Sequence, residues 1–476
     1  MTPSPFHDIT LATFARRLRA GELSAEATTR TLLTRIDTAN PKLRAFTFIA
    51  AERALAQAAA VDRLLAAGVD LGPLMGVPIA VKDLFSVDGM PTTAGSEVDI
   101  SDLVRPQGRF IDRLQRAGCV ILGKTATTEF ALGGFNLNTP PPWNPCDPQV
   151  ARMTGGSSHG SAVAIAAELA GFALGSDTGG SVRWPAAMCG VAGYKATTNH
   201  WPQDGVFPLS RDMDSLGVFA SCVEDLVFVH AALAEAPMAT PIEASRLVLA
   251  LPGDHFFQNI EPEVRACFER AESLLRAAGA TIREVALPEA AEIDAVFGSL
   301  VSAEWLAFVG RERFLANESR IDPVVAARVR GGLDLRADEY VRLASRHHAL
   351  VKRMAERAEG IDGWISPTVV KLPAPCSDFR TVDDVAAWNR ATTQNTRPAN
   401  LFGQCGVSLP MQHLGAPWPA GFQLCAAADD DRRMLAVALT IEGVIGRPST
   451  TLDPAFADAP LASAPPSSPS GHRAGR

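Results

Sequence analysis

Residues 9–68 carry Leu, Ala and Arg at helical spacing, which predicts helix through most of this stretch, with Ser24 capping a helix over 25–36. At Gly76 the pattern changes. Val77, Ile79, Ala80 and Val81 form a short apolar run of strand character that closes on Lys82. From there to about residue 233, strand-like and helical stretches alternate among many glycines, which predicts an α/β core. Residues 234–245, rich in Pro, Ala and Thr, read as a surface connection. A second β-α-β pattern follows, with a strand over Leu247–Leu251, a helix over 261–278 and a strand over Thr281–Val285. Residues 300–358 read mostly as helix, and Trp364–Pro367 and Gly421–Cys425 as further strands.

The connection at 234–245 makes a poor domain boundary, because the strand-like runs on either side can share one sheet. One domain is therefore expected over residues 1–455, with a core at 70–235 and residues 236–455 completing the sheet and the substrate pocket. The Ala-, Pro- and Ser-rich tail, 456–476, is expected to be disordered.

Composition changes the picture mainly by exclusion. The chain has 476 residues, 47% apolar and 20% charged, the balance of a globular protein with a sizeable core. Its formal net charge of -8 and the lack of any long Lys/Arg run argue against a nucleic-acid or anionic-membrane surface, which needs a basic field. The N-terminus lacks an apolar signal core, and Ala162–Gly175, interrupted by Glu168, is too short to span a bilayer. The eight cysteines form no C-x-x-C pair and read as reduced thiols of a cytoplasmic protein. No metal-ligand spacing is visible, and the neighbours His347 and His348 are expected to point in different directions on a helix.

The chemistry concentrates in two glycine-flanked serines, Ser157 and Ser181, separated by 24 positions. Residues 161–170 are helix formers that rise about 15 Å. Gly171 is expected to stop that helix, and Phe172–Ser176 to return about 16 Å as a strand. Helix out and strand back are equal in length, so the two serines can meet at one end of the sheet. Gly179 and Gly180 allow consecutive N–H groups to converge on one spot, a nest able to hold an oxyanion. A serine hydroxyl needs a base. Lys82, at the end of its apolar strand, can act as one if burial keeps it neutral, with Asp83 expected to oppose that shift if close.

At these residues the chain resembles the amidase signature family. Gly76–Asp83 with Thr93–Ser96 is similar to that family's lysine segment, and Gly155–Ser161 with Gly175–Pro185 to its serine segments. Gly205–Ser210, Pro398–Leu401 and Gly421–Leu424 extend the likeness over roughly residues 8–450. The resemblance implies a mixed central β-sheet flanked by α-helices, no cofactor and often a homodimer. It implies that Ser181 is the acyl-forming nucleophile, that Ser157, in a cis peptide, bridges it to the base Lys82, and that Thr178, Gly179 and Gly180 form the oxyanion hole. Ser158, Asp177 and Arg183 match supporting positions. Two departures stand out: His159 where the family usually has glycine, and Ser176 where threonine is common.

The expected activity is hydrolysis of a small-molecule amide, with a pocket built from 127–143, the helices of 295–350 and 366–405. That pocket mixes Phe130, Phe135 and Trp143 with Arg397 and Asn400. Gly156–Gly160 also satisfies the G-x-S-x-G elbow, but the prolines at 140–148 forbid the strand that must precede it. The alternative in another class is the glutamine-hydrolysing subunit of a tRNA-dependent amidotransferase, which would carry the same three residues.

Overall fold

The computed structural model describes residues 3–448. The expected tail at 456–476 lies outside them. Eleven strands form one mixed sheet: β1 (Phe46–Ile49), β2 (Pro78–Lys82), β3 (Val120–Thr125), β4 (Phe172–Asp177), β5 (Ala192–Lys195), β6 (Ser215–Ala220), β7 (Val248–Pro252), β8 (Thr281–Val285), β9 (Gly363–Pro367), β10 (Cys405–Pro410) and β11 (Gly421–Ala426). Their order is β1-β3-β2-β4-β6-β5-β10-β11-β9-β7-β8, so strands from either side of residues 234–245 share the sheet. β2 runs parallel to both β3 and β4, while β6, β5, β10, β11 and β9 continue antiparallel.

The central strands are covered on both faces by helices. Every residue of β2, β3, β4, β6, β10 and β11 is buried, which is why they read as continuous apolar runs rather than alternating ones. Among the described residues no single helix is long and apolar enough to cross a membrane.

Three local readings change. The helix capped by Ser24 runs to Leu43, well past residue 36, because Ser24 Oγ accepts from Ala27 N–H and the apolar stripe continues through Leu32, Ile36 and Ala39. A four-residue strand, β1, interrupts the helical stretch of 9–68 and pairs with β3. The helix after Ser157 spans His159–Ala166 and ends before Gly171. Glu168 takes the left-handed conformation, φ 54°, and the Glu168 and Leu169 N–H groups bond back to the last turn, so the chain turns earlier than glycine placement suggested.

Candidate active site

Because β2 and β4 are parallel neighbours, their C-terminal ends emerge at the same edge of the sheet, the edge where open α/β sheets receive ligands. Lys82 is the last residue of β2, and Ser176 and Asp177 are the last of β4. Lys82 is completely buried, and its Nζ lies 2.7 Å from Ser157 Oγ and 2.9 Å from Ser176 Oγ. The Gly156–Ser157 peptide is cis. Burial pulls the Lys82 ammonium down to about 7, against the opposing pull of Asp177 and Asp214. Asp83, expected to resist that shift, is turned away: its Oδ1 pairs at 2.8 Å with Lys124 on β3. Ser176 is the site residue whose contact the sequence did not disclose; its one-residue lead over Asp177 on β4 aims its hydroxyl at Lys82.

Ser181 is only partly buried, and with Thr178 and Gly179 it borders a small cavity. Ser158 ties the two serine segments together: its N–H donates to Ser181 O at 3.3 Å and its Oγ donates to Ser176 O at 3.2 Å. The turn from 178 to 183 is wound around the carboxylate of Asp177. Asp177 Oδ1 accepts from Gly180 N–H (2.8 Å) and Asn400 Nδ2 (2.9 Å), and Oδ2 accepts from Val182 N–H at 3.1 Å. Arg183 completes the cradle through Nε and Nη2, at 3.1 and 2.9 Å. Burial alone would push the Asp177 carboxyl up, but the Arg183 guanidinium, the Lys195 ammonium and the Asn400 amide hold it far below the usual carboxylate range.

This winding revises the expectation for Gly180. Its N–H is spent on Asp177, whereas those of Thr178, Gly179 and Ser181 have no such bond among the described residues. Gly180 is nonetheless required as glycine: its φ is +117°, and a Cβ would lie 2.1 Å from Thr396 Oγ1. Thr396 fixes the same turn by donating to Gly179 O at 2.8 Å. Thr178 Oγ1 donates to Asp214 Oδ1 at 2.5 Å, and burial raises the Asp214 carboxyl to about 6.

His159 opens the helix behind Ser157 and is buried; desolvation and the neighbouring Lys82 pull its imidazole down to about 3, so it is neutral at any working pH. The cavity is lined by Ala131–Gly133, Trp184, Leu209, Phe297, Val301, Arg328, Asn389, Thr393 and Arg397. Several expected lining groups are elsewhere. Phe130 is buried against Phe207 and Trp305, Phe135 packs with Phe379, Trp143 donates to Asp147 O, and Asn400 is bonded to Asp177. Arg397 does line the cavity.

His347 and His348 do not diverge as expected. Their rings stack at 5.9 Å, and with an oxygen of Asp212 their nitrogens fall within 4.8 Å of one another, because both side chains lean from the helix toward Asp212. None of the three lines the cavity at Ser181.

The family model described as Amidase matches residues 27–435. A relative named 2-amino-5-chloromuconic acid deaminase, from Comamonas testosteroni, is 37% identical over 92% of this chain and 96% of its own length. A relative from Acidothermus cellulolyticus, named as a subunit of glutamyl-tRNA(Gln) amidotransferase, is 33% identical over 91% of this chain and 94% of its own length. A crystal structure of an amidase superposes with a TM-score of 0.84 at 30% identity, covering 92% of this chain and 100% of that one.

Proposed function

The chain belongs to the amidase family, whose members cleave amide C–N bonds, and from that premise we propose that it hydrolyses a small-molecule amide through an acyl-enzyme on Ser181. The observation that supports this reading is the buried lysine within hydrogen-bond distance of Ser157, beside a second serine that opens on a cavity. In the resting state Lys82 is substantially neutral and its lone pair accepts the Ser157 proton. Ser157 in turn accepts the proton of Ser181 as Ser181 Oγ bonds to the amide carbonyl carbon. The carbonyl oxygen gains the negative charge and is met by the N–H groups of Thr178, Gly179 and Ser181. The C–N bond breaks as the relay returns its proton to the departing nitrogen, which could not leave as an amide anion. Water, deprotonated by the same relay, then cleaves the ester and restores Ser181. Asp177 and Arg183 act by shaping the 178–183 turn.

The relative named for deaminating 2-amino-5-chloromuconic acid works on a small molecule bearing acid groups and needs no tRNA in its name, which favours a free-standing enzyme. The likeness to amidotransferase subunits supports a second reading, glutamine hydrolysis within a larger complex. Ammonia release by the isolated chain from small amides, with glutamine among them, separates the two. Ser181→Ala should abolish turnover and labelling by a fluorophosphonate; retention of more than a few per cent of activity would falsify the assignment of the nucleophile.

A further inference from the structure

The lining of the cavity beside the 178–181 turn carries two arginines and no carboxylate. Arg328 lies on the helix Pro323–Arg330, and its Nη1 borders Gly133, where an added Cβ would approach it to 3.3 Å. Arg397 opens the short helix Arg397–Leu401, is 8% exposed, and stacks over the Phe297 ring at 5.3 Å. Arg328 forms no ion pair among the described residues. Arg397 has one, a loose contact of 3.7 Å to Asp294, whose side chain is 84% exposed and therefore well screened by water. Asn389 lines the same cavity and approaches Gly133 beside Arg328; it is 3% exposed, with neither its Nδ2 nor its Oδ1 hydrogen-bonded.

A buried guanidinium, a half-buried one on the same cavity and an unsatisfied buried amide together call for an anion to complete them. Burial and the neighbouring Arg328 pull Arg397 down to about 9, and Arg390 adds to the positive field on both. Each guanidinium offers a planar fork that matches a carboxylate, and the Asn389 amide supplies a further donor. Ser181, Thr178 and Gly179 line the same cavity, so a molecule gripped by these groups presents its remaining end to the nucleophile. Resting on the amidase reading above, we infer that the substrate is a short amide carrying a free carboxylate, bound by Arg328, Arg397 and Asn389. The monoamide of a small dicarboxylic acid is the simplest member of that class.

The test compares succinamate with levulinamide, which replaces the carboxylate by a neutral acetyl group of similar shape. Removing one partner of a buried, hydrogen-bonded charge pair costs at least about 30-fold. Wild type should therefore show kcat/KM for succinamate about 30-fold or more above levulinamide, and Arg397→Met or Arg328→Met should shrink that ratio at least tenfold, chiefly through KM. Arg397→Lys, which keeps the charge but loses the fork, should fall between, and it serves if the Met variants unfold. A wild-type ratio near one, or variants that lower both amides equally, overturns the inference. Calorimetric titration with succinate reads the anion site without turnover. Labelling of Ser181 with no succinate binding defeats the carboxylate site and leaves the hydrolase; succinate binding that Arg397→Met removes, in a chain that neither labels nor turns over, defeats the hydrolase and leaves the site.

Discussion

The pH dependence of turnover tests the base most directly. A solvated lysine is neutral in only about one molecule in 2,500 at pH 7. With Lys82 held at about 7, half the molecules carry the free amine at neutrality, so burial enlarges the competent population about a thousandfold. The neutral fraction falls to about a tenth at pH 6 and reaches about nine tenths at pH 8. Ammonia-release kcat/KM, measured from pH 5 to 9 at constant ionic strength, should thus rise with unit slope to a midpoint near 7 and flatten above 8. Two other groups close to the base could confuse the curve. His159, down at about 3, is silent in this window, while Asp214, raised to about 6, is not. Asp214→Asn removes its titration and should leave a single limb near 7, displaced slightly downward because a nearby negative charge no longer favours the ammonium. Lys82→Arg should be inactive throughout, since a guanidinium does not surrender its proton. A wild-type profile flat down to pH 5 would refute lysine as the base.

Burying Lys82 should also be visible in stability. Its folded value lies below its unfolded one, so the unfolded chain binds the extra proton between about pH 7 and 10.5, and at pH 7 this opposes folding by about 4 kcal/mol. Lys82→Met should therefore raise Tm at pH 7 by about 1–3 °C after the loss of two hydrogen bonds to serine, with the gain gone by about pH 10; a lower Tm at pH 7 contradicts the assigned shift. Gly180→Ala places a methyl group into Thr396 at a backbone angle that disfavours it, and should cut kcat at least tenfold while circular dichroism keeps the folded signal. Arg183→Met strands the Asp177 carboxylate in the interior and should destabilise by about 3–5 kcal/mol in urea titrations.

What could be read in the chain beforehand was what neighbouring residues determine together. The apolar run ending on Lys82 and the glycine-flanked serines carry their geometry within a few positions, and the helix-turn-strand between Ser157 and Ser181 returns the chain to one edge, although the helix His159–Ala166 is shorter than the expected match to the strand. β1 escaped notice because four residues between two helices leave too short an alternation to stand out from helical spacing. The partner of Asp83 was illegible because it depends on the register of β2 against β3, which sets Lys82 beside Thr125 and brings Lys124 to the Asp83 side. Arg328 and Arg397 come to one cavity from helices that share no local pattern. Arg397 was among the expected pocket residues, but that its charge would lack a close buried acid follows only from packing.

The cradle of Asp177 has a consequence for how the protein is made. Arg183 Nη1 donates to Gln423 on β11 and Nη2 to Asn400, partners 240 and 217 residues further along the chain. At a synthesis rate of about 5–20 residues per second, a ribosome needs roughly 10–50 s to travel from Arg183 to Gln423. For that interval the Lys82 and serine segments already exist, yet the Arg183 fork has Asp177 alone, and β5 presents a bare edge until β10 arrives to pair with it. The nucleophile's turn therefore takes its final shape only after nearly nine tenths of the polypeptide has left the ribosome, so a nascent or truncated product carries the reactive groups without the frame that would align them.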